Sequence, residues 1–221
     1  MNLDGLPYVI EPMKREDVPT VHKIERQVFP LPWSTYAFLH EITYNENSVY
    51  LVLRYEPWID EHREGILPQP VARLLGRVGD DPSLLGYGGF WMIAARAHIS
   101  TLALRPAWRG RGLGELLLAS LCEKALQRDA RIINLEVRAS NTVAQNLYKK
   151  YGLEITKTHE GYYSDNDEDA YIMSTRSHSV RAYRKHLDAL LRRLRKRLAS
   201  QSQEPPKNGP RPVQDNEGND R

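Results

Sequence analysis

The residues with the clearest chemical signature are Arg109-Gly110-Arg111-Gly112-Leu113-Gly114, three glycines in five positions. They stand between an apolar run with strand character and an apolar run with helix character. Glycine at a helix start costs stability, so packing alone does not account for it. Bare amides opening a helix form an anion site, and a phosphate fits such a site. Gly110 and Gly112 meet the first two positions of a dinucleotide fingerprint, but the third falls on Glu115. A P-loop needs Lys-Ser or Lys-Thr after its last glycine, and Gly114 is followed by Glu115 and Leu116. What remains is Arg-x-x-Gly-x-Gly, spelled by Arg109, Gly112 and Gly114. The plain alternative is a tight strand–helix turn with no ligand.

Glu136 is the second candidate. In Ile132–Arg138, alternation sets Leu135 and Val137 on one face and Asn134, Glu136 and Arg138 on the other. A mid-strand carboxylate is costly unless it is paired, with Arg138 or another arginine, or useful. Tyr148 follows twelve residues later on a short helix, for which Ser140 or Asn141 is the expected cap. His98 and Cys122 read as packing residues. No His/Cys cluster has metal spacing, and no Ser-His-Asp set is suggested.

These residues need elements to hold them. Tyr8–Met13 reads as a first strand. Asp17 is expected to cap a helix bearing Val18, Val21, Ile24 and Val28, and Ser34 a second one bearing Phe38 and Ile42. Ser48–Tyr55 is a β-branched, aromatic strand. Residues 56–83 hold four prolines and read as a long connection with one short helix near Val71–Leu75. Two antiparallel strands precede the glycine turn, and a helix over Gly112–Gln127 follows it. Gly152 suits a helix C-terminus. Two late strands carry Leu153–Tyr163 and Asp169–Arg176.

The chain has 221 residues, 41% hydrophobic and 27% charged, with a net charge of +3. One full domain is expected, spanning 8–176, with a basic amphipathic helix over 177–199 and a disordered tail over 200–221. A single cysteine excludes an internal disulfide framework and fits a reducing cytoplasm. No signal peptide or apolar run of membrane length is visible. A cytoplasmic monomer is expected.

His98–Leu118, Leu135–Leu153 and Tyr162–Met173, together with Pro32-Trp33-Ser34, resemble the GNAT superfamily and, within it, the RimI-type ribosomal-protein-alanine N-acetyltransferases. The resemblance covers roughly residues 8–174. It implies an α/β GNAT fold, a mixed and mostly antiparallel twisted sheet with helices on both faces. It implies acetyl-CoA as co-substrate and no metal. The backbone of Leu102, Ala103 and Leu104 would bind the pantetheine arm. Arg109, Gly110, Arg111, Gly112, Leu113, Gly114 and Glu115 would enclose the pyrophosphate, and Asn141 and Tyr148 would also contact the cofactor. Glu136 becomes the general base, working through water, and Tyr148 the acid that protonates the departing thiolate. Trp33, Glu41, Tyr162 and Tyr163 would flank the acceptor, a protein N-terminus, most specifically the N-terminal alanine of a small-subunit ribosomal protein.

Other readings keep the fold with a lysine, polyamine or small-molecule acceptor, or make the chain a non-catalytic CoA-sensing RNA-binding module. The 56–83 connection and the basic C-terminal helix depart from the family pattern. For that helix, docking of its leucines on the domain comes before ribosome or rRNA contact, and both before a membrane surface.

Overall fold

The computed structural model describes residue 3, residues 5–59, 80–176 and 180–201, and residue 205. The helix expected near Val71–Leu75, most of the 56–83 connection and nearly all of the tail lie outside these residues.

Among the described residues the core is a seven-stranded sheet. Its strands are β1 (Tyr8–Pro12), β2 (Ser48–Tyr55), β3 (Leu84–Ile93), β4 (Arg96–Leu104), β5 (Ile132–Arg138), β6 (Leu153–Tyr163) and β7 (Glu168–Thr175). Their order across the sheet is β1-β2-β3-β4-β5-β7-β6. The β4–β5 pair is parallel, and every other neighbouring pair is antiparallel. The parallel pair needs a crossover, supplied by the helix α3 (Leu113–Gln127). The longer helices are completed by α1 (Val18–Val28), α2 (Thr35–Tyr44), α4 (Thr142–Lys150) and α5 (Val180–Ser200).

Alternation along β2 explains the layers. Tyr50 and Val52 point to one face, where they pack with Val21, Ile24 and Phe38 of α1 and α2. Leu51 and Leu53 point to the other face, which α3 and α5 cover. The expected Ser34 cap is present, its hydroxyl accepting from the Ala37 amide at 3.1 Å. Asp17 does not cap α1 as expected. Its carboxylate is buried and faces Arg54 of β2, which also binds Glu11 and Asp81. A buried arginine surrounded by carboxylates makes the capping role the weaker competitor for Asp17.

The leucine stripe of α5 does what its spacing implies. Leu187, Leu190, Leu191, Leu194 and Leu198 are buried against α3 and its surroundings, and the Tyr183 hydroxyl donates to the Tyr151 carbonyl at 3.1 Å. The basic residues Arg181, Arg184, Lys185, Arg192, Arg193 and Lys196 remain exposed. Truncating a docked leucine removes buried apolar surface and leaves a cavity. Leu194→Ala is expected to lower the unfolding free energy by about 2–5 kcal/mol in a denaturant titration. Arg193→Ala is expected to change it by less than about 0.5 kcal/mol.

Candidate active site

The site forms where β4 leaves β5. The parallel ladder holds for Arg96↔Ile132, Ala97↔Ile133 and His98↔Asn134 and then stops. On the other side of β4 the partner of Phe90 is Ile99 while that of Gly89 is Thr101, so Ser100 is an extra residue on β4. A bulge of this kind bends its strand. Beyond it, Leu102, Ala103 and Leu104 stay paired to β3, and their edge towards β5 is open. The two parting strands carry buried polar atoms, Thr101 Oγ1 and Asn134 Oδ1, with no hydrogen-bond partner among the described residues. Buried groups of that kind call for a partner. A ligand with amide and carbonyl groups along its length, such as a pantetheine arm, supplies one.

At the end of β4 the chain enters the glycine turn. Gly110 and Gly112 have φ of 76° and 81°, and α3 begins at Leu113 with Gly112 as its left-handed N-cap. The amides of Leu113, Gly114 and Glu115 open the helix, as a phosphate site requires. The Glu115 side chain points elsewhere. It is buried, with Lys150 Nζ at 2.5 Å, Arg197 at 2.6 Å and the Tyr151 hydroxyl at 3.2 Å. Despite burial, these cations hold its carboxyl below the usual range. Only its amide is free to face a ligand. Arg111 lies over the Trp108 ring at 5.2 Å, and Arg109 is exposed.

Glu136 is half-buried on β5 and does not pair with Arg138. That arginine is taken by Asp165 at 2.7 Å and Glu168 at 3.1 Å, and lies 3.8 Å over the Tyr163 ring. Arg138 thereby ties the β6–β7 hairpin to β5 and sets Tyr162 and Tyr163 beside Glu136. Burial raises both phenols, Tyr163 to about 12, and the negative Glu136 contributes to each shift. Tyr148 on α4 lies beside Tyr163, and burial pushes its hydroxyl up to about 12. It therefore keeps its proton at neutral pH, as a proton donor must. Asn141 caps α4, its Oδ1 accepting from the Ala144 amide at 3.1 Å.

The partner that Glu136 does have is His98, which does more than pack. His98 Nε2 lies 3.3 Å from Glu136 Oε2. The two sit on neighbouring strands, so no spacing in the sequence joins them. His98 stacks on Trp91 with ring centres 5.7 Å apart, and Trp91 stacks on Trp33 at 5.8 Å. Trp91 Nε1 donates to Glu41 Oε2 at 2.7 Å. Trp33, Tyr36, Ala37, His40, Glu41 and Trp91 line an open pocket of about 520 Å³. Trp33 and Glu41 therefore share one wall. Cys122 is buried, and burial pushes its thiol up to about 12, which leaves it inert as a nucleophile.

A family model described as Acetyltransferase (GNAT) family matches residues 19–153. The chain belongs to the GNAT family. It is an N-acetyltransferase, and its sheet is the GNAT sheet. A Bacillus subtilis (strain 168) protein with the provisional name of a ribosomal protein bS18-alanine N-acetyltransferase is 37% identical over 161 residues, covering 73% of this chain and 90% of its own length. An N-alpha-acetyltransferase of Sulfurisphaera tokodaii is 29% identical, covering 77% of this chain and 93% of its own. The crystal structure of the ribosomal-protein-S18-alanine N-acetyltransferase from Escherichia coli superposes with a TM-score of 0.58 at 24% identity, covering 76% of this chain and 92% of that one. An Arabidopsis thaliana GNAT structure in complex with acetyl-CoA superposes with a TM-score of 0.59 at 17% identity, covering 76% and 97%.

A buried carboxylate behind Trp33 also has no local signature in the sequence. Glu25 of α1 is buried, and its Oε1 accepts from the Trp33 amide at 3.1 Å. Its Oε2 has no partner among the described residues, and burial pushes the carboxyl up to about 7. A carboxylic acid raised on folding favours the folded state while protonated. Its contribution is full below the ordinary carboxylate range and is lost as pH rises through about 7. Glu25→Gln keeps an acceptor for Trp33 and removes the charge. The variant is expected to melt higher than wild type by roughly 5 °C near pH 8. The difference is expected to vanish near pH 4.5, as followed by circular dichroism.

Proposed function

We propose that this enzyme transfers the acetyl group of acetyl-CoA to the α-amino group of a protein, and that its acceptor is the N-terminal alanine of ribosomal protein bS18. The observation that carries the reading is Glu136, a half-buried carboxylate beside the gap between β4 and β5, with Tyr163 next to it and Tyr148 next to Tyr163. The names of the Bacillus subtilis and Escherichia coli relatives point to the same acceptor. The open edge of Leu102–Leu104 and the amides of Leu113, Gly114 and Glu115 would hold acetyl-CoA, which supplies an activated acetyl thioester.

Direct transfer places each proton on a residue of this chain. Glu136 takes a proton from the amine as its nitrogen bonds to the acetyl carbon. Tyr148 gives its proton to the sulfur as the carbon–sulfur bond breaks. Trp33 and Glu41, together with Tyr162 and Tyr163, guide the acceptor chain to Glu136. The exposed basic face of α5 suits contact with ribosomal RNA through its phosphates, and such contact weakens steeply with salt.

The test is turnover with an Ala-starting peptide of the bS18 N-terminus, followed by thiol release. Wild type is expected to acetylate the free peptide, not the same peptide with a blocked N-terminus and an internal lysine. Glu136→Gln is expected to lower kcat by about 10²- to 10⁴-fold. Acetylation of the blocked peptide at the rate of the free one would move the acceptor to lysine. An unchanged kcat would remove Glu136 from the chemistry.

A further inference from the structure

A base that removes a proton in every cycle must also lose it, and the structure supplies a route. We propose that His98 is a positioning residue that acts through Glu136, carrying its proton away after each transfer. The inference rests on the transfer chemistry given above, and it adds a residue to it.

The geometry is specific. His98 is the last residue of β4 paired to β5 before the Ser100 bulge, so the ladder itself fixes its backbone. Its ring is clamped by the stack on Trp91, which the Glu41 carboxylate holds in turn. That leaves Nε2 facing Glu136 Oε2 at 3.3 Å. The other polar groups around Glu136 are unsuited to take its proton. Arg138 is engaged by Asp165 and Glu168, and carries its proton permanently. Tyr162 and Tyr163 are phenols held in the protonated form by burial. A neutral imidazole carries one ring nitrogen without a proton, so it accepts where these cannot.

The balance is simple. The amine proton passes to a Glu136 oxygen as the carbon–nitrogen bond forms. From Oε2 it passes to Nε2 of neutral His98. The imidazolium then releases a proton to water, Tyr148 regains from water the proton it gave to the sulfur, and all three groups return to their starting forms. His98 is about as exposed as Glu136, at 18% against 21%, and so reaches solvent on its own account. The second consequence concerns the acceptor wall. Trp33 stacks on Trp91, and Trp91 on His98, so a chain seated against Trp33 also steadies the imidazole.

The experiment compares His98→Gln, His98→Phe and His98→Ala with wild type, using whichever amine the wild-type enzyme acetylates fastest. His98→Phe keeps the stack on Trp91 and loses the nitrogen. His98→Gln keeps polarity and cannot take a proton. Both are expected to lose about 10- to 100-fold in kcat, with KM for acetyl-CoA changed less than about twofold. Free imidazole is expected to restore turnover to His98→Ala and leave wild type unaffected. Wild-type kcat in His98→Gln or His98→Phe would overturn the proposal. So would slow variants that imidazole does not rescue, which would mark His98 as a packing residue. Failure of the peptide-acceptor reading shows itself differently, as a wild-type preference for another amine.

Discussion

The parting of β4 from β5 is the constraint on which the rest of the site depends. Two parallel strands ordinarily share evenly spaced hydrogen bonds along their length, and losing them inside a protein is costly. Here the loss is tolerable because beyond the split each strand stays paired on its outer edge, β4 to β3 and β5 to β7. The sheet behaves as two half-sheets joined through His98↔Asn134 and its two preceding pairs. One inserted residue, Ser100, separates them. Its hydroxyl lies 3.2 Å from the Tyr50 hydroxyl, across β3, which anchors the bulge to the layer beneath α1 and α2. Gly89 leaves room for that tyrosine, since a Cβ there would meet its ring at 2.3 Å. The bulge, the ring and the glycine form one device, and its product is an open strand edge ending at a phosphate-sized turn.

That turn is held from outside as well as from the sheet. Gly112 needs its positive φ, and α5 also crowds it, with Arg197 2.9 Å and Leu198 3.3 Å from where a Cβ would stand. Glu115 connects the start of α3 with the end of α4 through Lys150 and with α5 through Arg197. A carboxylate in the first turn of a helix is favoured by the helix dipole, and a buried one needs its cations. The same residue therefore fixes three elements around the turn while its amide stays available. The basic helix is thus a packed part of the architecture, and its exposed arginines and lysines are a separate property of its outer face.

The sequence made this arrangement readable where a local rule governed it. The glycine turn, the α3 helix, the caps at Ser34 and Asn141 and the leucine stripe of α5 all follow from spacing within one element. The antiparallel pair ahead of the glycine turn is legible in the same way. What stayed hidden depends on contacts between distant segments. Arg138 looked like the natural partner of Glu136 by proximity in the chain, but the β6–β7 hairpin offered it two carboxylates. His98 gained its meaning from the strand beside it. Asp17 had a capping pattern and lost that role to Arg54, thirty-seven residues away. Glu115 fell within the expected phosphate grip, yet a helix rotation of one position turns its side chain inwards. Trp58, in a segment read only as a loop, is buried against Tyr55 and Trp108.

The proton chemistry of the site bears on which amine it can use. An α-amino group loses its proton near pH 7.7–8.0 and a lysine near about 10.4, so at neutrality a sizeable share of the former is already nucleophilic, and about one lysine in a thousand or fewer. Moving either amine against the aromatic wall of Trp33 and Trp91 strips water from it and favours the neutral form further. For an α-amine this small push is enough. A lysine asks more of the same carboxylate, because a far smaller share of it is neutral at the outset. Acidic groups nearby are otherwise committed, Asp165 and Glu168 to Arg138 and Glu41 to Trp91 and Asn45. Under the acceptor reading proposed above, the ionisation of an α-amine favours a chain terminus before any side chain of the acceptor is read.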